Sequence, residues 1–121
     1  MDKQQALYNF WSSFGVPAYD ENTVPDNAEA PYISYQVIIG DIDRPVFPSA
    51  SIWYKSDDWE TIDNKVRQIL ETIETLQPIP IDGGYLHIVT ASPPAQRMTD
   101  PSDSSIKRYL INIAMEFLTQ Y

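Results

Sequence analysis

The chain contains no cysteine. That excludes disulfides, zinc–thiolate centres and a cysteine nucleophile, and it suits a reducing compartment. Histidine occurs once, at His87, inside the apolar stretch "YLHIVTAS". A Ser-His-Asp triad would have to use it, and no G-x-S-x-G elbow accompanies it; His87 reads as an ordinary strand residue. The four glycines, Gly15, Gly40, Gly83 and Gly84, form neither G-x-G-x-x-G nor a P-loop. Nucleotide binding by those devices is excluded. Basic residues are also scarce: 8 Lys and Arg face 17 Asp and Glu, for a formal net charge of −9. They are scattered, with only Lys107 and Arg108 adjacent. Duplex nucleic acid and anionic membrane surfaces both call for clustered cations, so both are disfavoured. The ordinary consequence of such acidity is solubility. No apolar run approaches the ~20 residues needed to span a bilayer. The opening "MDKQQALYNF" lacks a basic start followed by an apolar core, so we expect no signal peptide and a soluble, intracellular product.

What remains is a chain of 121 residues, 43% hydrophobic, which suits one domain over 1–121 with one core. Leu7, Phe10, Trp11 and Phe14 recur at helical spacing and predict a first helix over 3–14, ended by Gly15 and Pro17. Trp59, Ile62, Val66, Ile69, Leu70, Ile73 and Leu76 make a second and stronger stripe. Asp57 followed by Glu60 reads as a capping box, and Asp63, Arg67 and Glu71 are spaced for i,i+4 pairing on the opposite face. Pro78 and Pro80 stop this helix.

The strands follow a period of two. The first, 32–39, puts Ile33, Tyr35, Val37 and Ile39 on one face, and Pro31 sits just before it, where its missing N–H breaks no ladder bond. The second, 50–56, puts Ile52 and Tyr54 on one face and Ser51, Trp53 and Lys55 on the other. The pair reads as an antiparallel hairpin. "DGG" at 82–84 signals a tight turn, and 85–92 is a third strand. The final "IKRYLINIAMEFLTQY" fits either a helix or a strand; the alternation of Tyr109, Ile111, Ile113, Met115 and Phe117 favours the strand. Segments 15–31, 40–49 and 93–105 read as long loops. The order α-β-β-α-β-β predicts an α+β fold: a four-stranded, mainly antiparallel sheet with helices packed on one face.

No catalytic constellation emerges, and we expect neither an enzyme nor a cofactor or metal. The carboxylate pairs Asp41/Asp43, Asp57/Asp58 and Asp100/Asp103 lack EF-hand spacing and sit where turns and caps use aspartate. The aromatic supply is richer: 3 Trp, 8 Tyr and 4 Phe. Trp53 shares a strand face with polar residues, and Phe47 lies in a loop between two prolines. With Arg44, Arg97 and Met98 they are of residue types enriched in protein interfaces. These five residues are the candidate interaction set.

The order of elements, together with Pro31-Tyr32-Ile33-Ser34-Tyr35 opening the first strand, resembles the tail-terminator and tail-completion proteins of long-tailed bacteriophages. The resemblance implies a virion protein at the head–tail joint, made in the host cytoplasm. It also implies a homo-oligomeric ring, usually of six subunits, that docks on the tail-tube protein and offers a surface to the head connector, or neck, protein. DNA would pass through such a ring without specific binding, and an acidic lumen would repel its backbone. The family carries no catalytic residues to transfer. Two alternatives are a small acidic DNA-mimic inhibitor and a generic α+β protein-interaction adaptor.

Overall fold

The computed structural model of the protein describes residues 2–38, 44–99 and 103–119. Its elements run α1 (Lys3–Ser12), β1 (Ala18–Asp20), β2 (Tyr32–Tyr35), β3 (Ser49–Lys55), α2 (Glu60–Thr75), β4 (Ile79–Ile81), β5 (Gly84–Thr99) and β6 (Ile106–Thr119). The α+β class is as expected, and β2 and β3 form the expected antiparallel pair. The sheet differs from expectation: it has six strands, in the order β1-β2-β3-β6-β5-β4. Four of its neighbour pairings are antiparallel, and β1–β2 is parallel. The two additional strands are three residues each and lie at the sheet edges. They are too short to display a period, and β4 has a proline at its centre, which an edge strand tolerates.

The segment 93–105 is also not a loop throughout. β5 continues through Pro93 and Pro94 to Thr99, opposite β6. A bulge between Thr90 and Ala95 absorbs the prolines, and the Asn112 side-chain amide donates to the Pro93 carbonyl (3.0 Å) across the gap. Beyond Leu86 this strand has β6 as its only strand neighbour among the described residues, so a proline without an N–H costs no ladder bond on its other edge. β2 ends at Tyr35, shorter than the expected 32–39, although the Gln36 N–H still donates to the Ser49 carbonyl (3.0 Å). Ile39, Gly40, Asp41, Asp43 and Asp100 lie outside the described residues.

Helix starts obey local hydrogen bonding. Asp2 caps α1 by accepting from the Gln5 N–H (2.8 Å). The expected Asp57–Glu60 box at α2 does not form. The helix begins at Glu60 with Trp59 in the cap position, and it is Asp58 that accepts from the Glu60 N–H (3.0 Å). Phe14 lies beyond the end of α1 but stays in the core at 2% exposure.

Residues opposite each other in an antiparallel sheet share a face. One face therefore carries Ile33, Ile52 and Tyr109 in one row and Tyr35, Ala50, Ile111 and Ala95 in the next. Both helices cover this face. Trp11 of α1 stacks on Tyr35 at 6.4 Å between ring centroids. From α2, Ile62, Val66, Ile69 and Ile73 complete the core. The Lys65 ammonium donates to the Phe14 carbonyl (2.8 Å), tying α2 to the end of α1.

Candidate functional site

The other face of the sheet bears no helix among the described residues, and its side chains are not what a solvated face usually shows. At the end nearest Arg108, one row reads Tyr32, Trp53, Arg108, Met98 across β2, β3, β6 and β5. The Tyr32 and Trp53 rings stack with centroids 5.9 Å apart, and Tyr19 of β1 meets Tyr32 edge-on at 5.9 Å. The Arg108 guanidinium lies 4.6 Å from the Trp53 ring centroid. Trp53 Nε1 donates to Ser34 Oγ (3.2 Å), while Arg108 Nε and an Nη donate to Ser51 Oγ (3.0 and 2.8 Å). The polar atoms of this patch are thus largely satisfied within it, and the aromatic and aliphatic surfaces remain for contact. A cation over an indole contributes about 0.5–1 kcal/mol at an exposed site, which adds to the two bonds to Ser51 in holding the Arg108 side chain.

Further along, Leu110, Ala114 and Leu118 of β6 point to the same open side as Arg108. Ala114 pairs with Val89, which is 41% exposed, and Leu118 with Tyr85, which is 37% exposed. The isolated Val46–Met115 bridge keeps the β3–β6 register, which sets Phe47 level with Ala114. At 65%, Phe47 has the highest exposure of the large hydrophobic residues in the described structure. His87 faces Glu116 in this plane as an ordinary strand residue.

The candidate set therefore divides. Trp53 and Met98 flank Arg108 in one row, and Phe47 belongs to the same side of the sheet. Arg97 does not join them. It lies on the helix side, where it pairs with Asp63 of α2 (2.8 Å), donates through Nε to the Tyr109 hydroxyl (2.9 Å), and sits 4.7 Å from the Trp59 ring centroid. The Tyr109 hydroxyl in turn donates to the other Asp63 oxygen (2.6 Å). Burial first, and then the bond to Asp63, push the Tyr109 phenol above its usual value, and the bond to Tyr109 raises Arg97. Asp63 is thus turned toward the sheet instead of the expected ladder with Arg67, whose guanidinium donates to Asn64 (3.4 Å). This network fastens the start of α2 to β5 and β6. Arg44 is exposed and borders a small hollow with Val46 and Met115. Asp103 serves its own turn. Its carboxylate accepts from the Ser105 N–H and hydroxyl, which holds its pKa below the usual range.

Two larger concavities flank the core among the described residues. One, of about 310 Å³, opens over Leu7, Val37 and Met115 beside the start of α1. The other, of about 580 Å³, is a shallow groove between α2 and β5, with Val66, Leu70, Pro94 and Ala95 as floor and Glu71 and Glu74 on its rim. Among the described residues no group of three or more His, Cys, Asp or Glu is arranged to hold a metal ion. No helix there is long and apolar enough to cross a membrane.

The pattern of residues did not mark Tyr19, Tyr32, Arg108, Leu110, Val89, Tyr85 and Leu118 as members of the open face. A signal was present. "RYLINIAMEFL" carries apolar residues at even as well as odd positions, Leu110, Ala114 and Leu118 among the even ones, which is why it fitted a helix as well as a strand. A strand apolar on both faces is a strand with two surfaces to cover. No protein-family model matches the chain, and no curated protein matches it.

Proposed function

We propose that this protein is a structural subunit of the head–tail joint of a long-tailed phage or prophage. In this reading it assembles as a homo-oligomeric ring, of six copies, that ends or completes the tail tube and meets the head connector. The observation that carries the reading is the open sheet face, with Tyr32, Trp53, Leu110 and Leu118 half-buried and Phe47, Tyr85 and Val89 exposed. A rigid, strand-built surface that sets exposed and half-buried aromatic and aliphatic side chains among Ser49, Ser51 and Asn112 suits a protein contact. The Pro31-Tyr32-Ile33-Ser34-Tyr35 resemblance supplies the setting, since Tyr32 of that motif belongs to this very face. Six of the seven residues just named come from strands, so the surface is pre-organised and little chain entropy is lost on contact.

The test is genetic. The gene is deleted from its source phage or prophage and the lysate imaged by negative-stain electron microscopy. Unjoined heads and tails, with tails of irregular or excessive length, are the expected result. Normal, infectious virions would overturn the reading.

A further inference from the structure

Within that reading, the two uncovered surfaces of the subunit differ in chemistry. The open-face positions of the central strands carry two cations, Lys55 and Arg108, and one carboxylate, Glu116, with the Asp103 carboxylate within electrostatic reach of Lys55. The side of the molecule formed by α2 carries the exposed carboxylates Asp57, Asp58, Glu60, Glu71 and Glu74. Against them stand Lys65, engaged with the Phe14 carbonyl, Arg97, paired with Asp63, and Arg67, which borders the groove and donates to Asn64. One face of the layered molecule sets aromatic and aliphatic side chains among hydroxyl and amide groups, with Arg108 at one end; the opposite face has an excess of carboxylates around a groove floored by apolar side chains.

We infer that the open sheet face of one copy docks on the α2 side of the next, with Phe47 entering the groove floored by Val66, Leu70, Pro94 and Ala95. Rigidity favours Phe47 as the inserted residue: Pro45 and Pro48 flank it, and the Val46–Met115 bridge anchors its base. Opposite charge then aligns the rest. Lys55 and Arg108 lie six residues or more of β6 register from the level of Phe47, or ~20 Å at ~3.3 Å per residue. α2, at 16 residues, is ~24 Å long at 1.5 Å per residue, so one helix can meet both ends of the patch. Area is sufficient as well. Over its 14 residues β6 runs ~45 Å, and three strands at ~4.8 Å spacing give a face of roughly 650 Å² before side-chain relief. That approaches the ~800 Å² per partner of a standard specific interface. A symmetric sheet-to-sheet dimer would leave the acidic side unpartnered. Front-to-back contact uses both surfaces, and being heterologous it propagates into a closed ring or a filament.

The inference rests on the ring reading, and its test separates the two. Sedimentation velocity is run on the full chain from ~10 μM to ~1 mM, with three variants: Phe47→Ala, Asp57→Lys/Glu60→Lys at the end of α2 remote from Glu71 and Glu74, and Lys55→Glu/Arg108→Glu. Circular dichroism and urea melts verify that each variant is folded. Wild type is expected to associate. Phe47→Ala and each charge reversal are expected to weaken association at least tenfold, and mixing the two charge-reversed variants should restore it in alternating assemblies. Should Arg108→Glu prevent folding, Lys55→Glu alone takes its place in the mixing experiment. Wild type that stays monomeric at ~1 mM overturns the inference. So does a helix-side reversal that associates like wild type, which would point to sheet-to-sheet pairing. Binding of an oligo(dT) strand to the open face, in place of self-association, overturns it too. Each of these results can occur while the deleted phage still yields unjoined heads and tails, in which case the joint role stands and only the surfaces are wrong.

Discussion

Ile111 occupies the centre of the sheet, fully buried on β6, and its two cross-strand neighbours are Ala50 and Ala95. One large side chain fills space that two small ones leave. Ile111→Ala would set three alanines side by side beneath the helices. Losing three carbons forfeits about 2.4 kcal/mol at ~0.8 kcal/mol each. A residual void of ~70 Å³ adds about 1.7 kcal/mol at ~24 cal/mol per Å³, for a total near 4 kcal/mol. Ile52→Ala deletes the same atoms from an equally buried site, but its neighbours are Ile33 and Tyr109, which are large enough to lean into the space. Its cost should be nearer 3 kcal/mol. A chain of this length has about 6–18 kcal/mol of stability at ~0.05–0.15 kcal/mol per residue, so both variants remain foldable in most of that range. Urea unfolding followed by tryptophan fluorescence measures both, with an unchanged slope required for the comparison. Adding Ala50→Val or Ala95→Val to Ile111→Ala should recover about 1 kcal/mol, because the sites share one void. Equal costs for the two isoleucines, or no recovery, would refute the packing argument.

Three further outcomes are expected. Tyr109→Phe removes a hydroxyl that donates to Asp63 and accepts from Arg97; it should cost about 1.5 kcal/mol, and a double-mutant cycle with Asp63→Asn should show coupling of about 1 kcal/mol. The phenols of Tyr35, Tyr54 and Tyr109 all titrate above their ordinary value, chiefly through burial. Their contribution is present in full below about pH 10, where the unfolded phenols stay neutral, and is lost as pH rises through the folded values; urea midpoints should stay level from about pH 8 to 9.5 and fall as pH rises above about 10. At the β4–β5 turn, a Cβ on Gly84 would stand 2.0 Å from the Leu118 carbonyl oxygen, whereas one on Gly83 would meet nothing nearer than 4.0 Å but the residue has φ of +84°. Gly84→Ala should therefore cost about 3 kcal/mol by forcing β5 from β6, and Gly83→Ala about 1–2 kcal/mol, both read from thermal midpoints.

The elements with long apolar periods were legible from residues alone. The α2 stripe, the β2–β3 pair and the terminal strand all stand where Ile62 to Ile73, Ile33 to Ile52 and Tyr109 to Phe117 put them. What escaped was decided by neighbours distant in sequence. Pro93 and Pro94 read as loop because a proline interrupts a paired strand; that the far edge of β5 is unpaired there depends on β4 being only three residues long. Ala18–Asp20 is a strand because it lies beside β2, which no local pattern announces. The candidate surface was half legible for the same reason. Trp53 and Met98 share a row only because both register on Arg108. Arg97, next in sequence to Met98, points the other way and is occupied by Asp63. One residue of alternation separates a side chain on the open face from a clamp on the chain's own helix.

The strand that joins the sheet is also the one translated after all the others. β6, residues 106–119, sits between β3 and β5. Until it has been synthesised, β1-β2-β3 and β4-β5 are two fragments with no strand between them, each presenting an unfilled edge. Neither has a complete core, because Ile111, Ile113 and Met115 supply its middle. The residues before β6 therefore lack the middle of the core. The chain commits to its structure in one late, long-range step, the kind of topology that folds slowly. A surface that spans the sheet therefore comes into existence only once that step is complete.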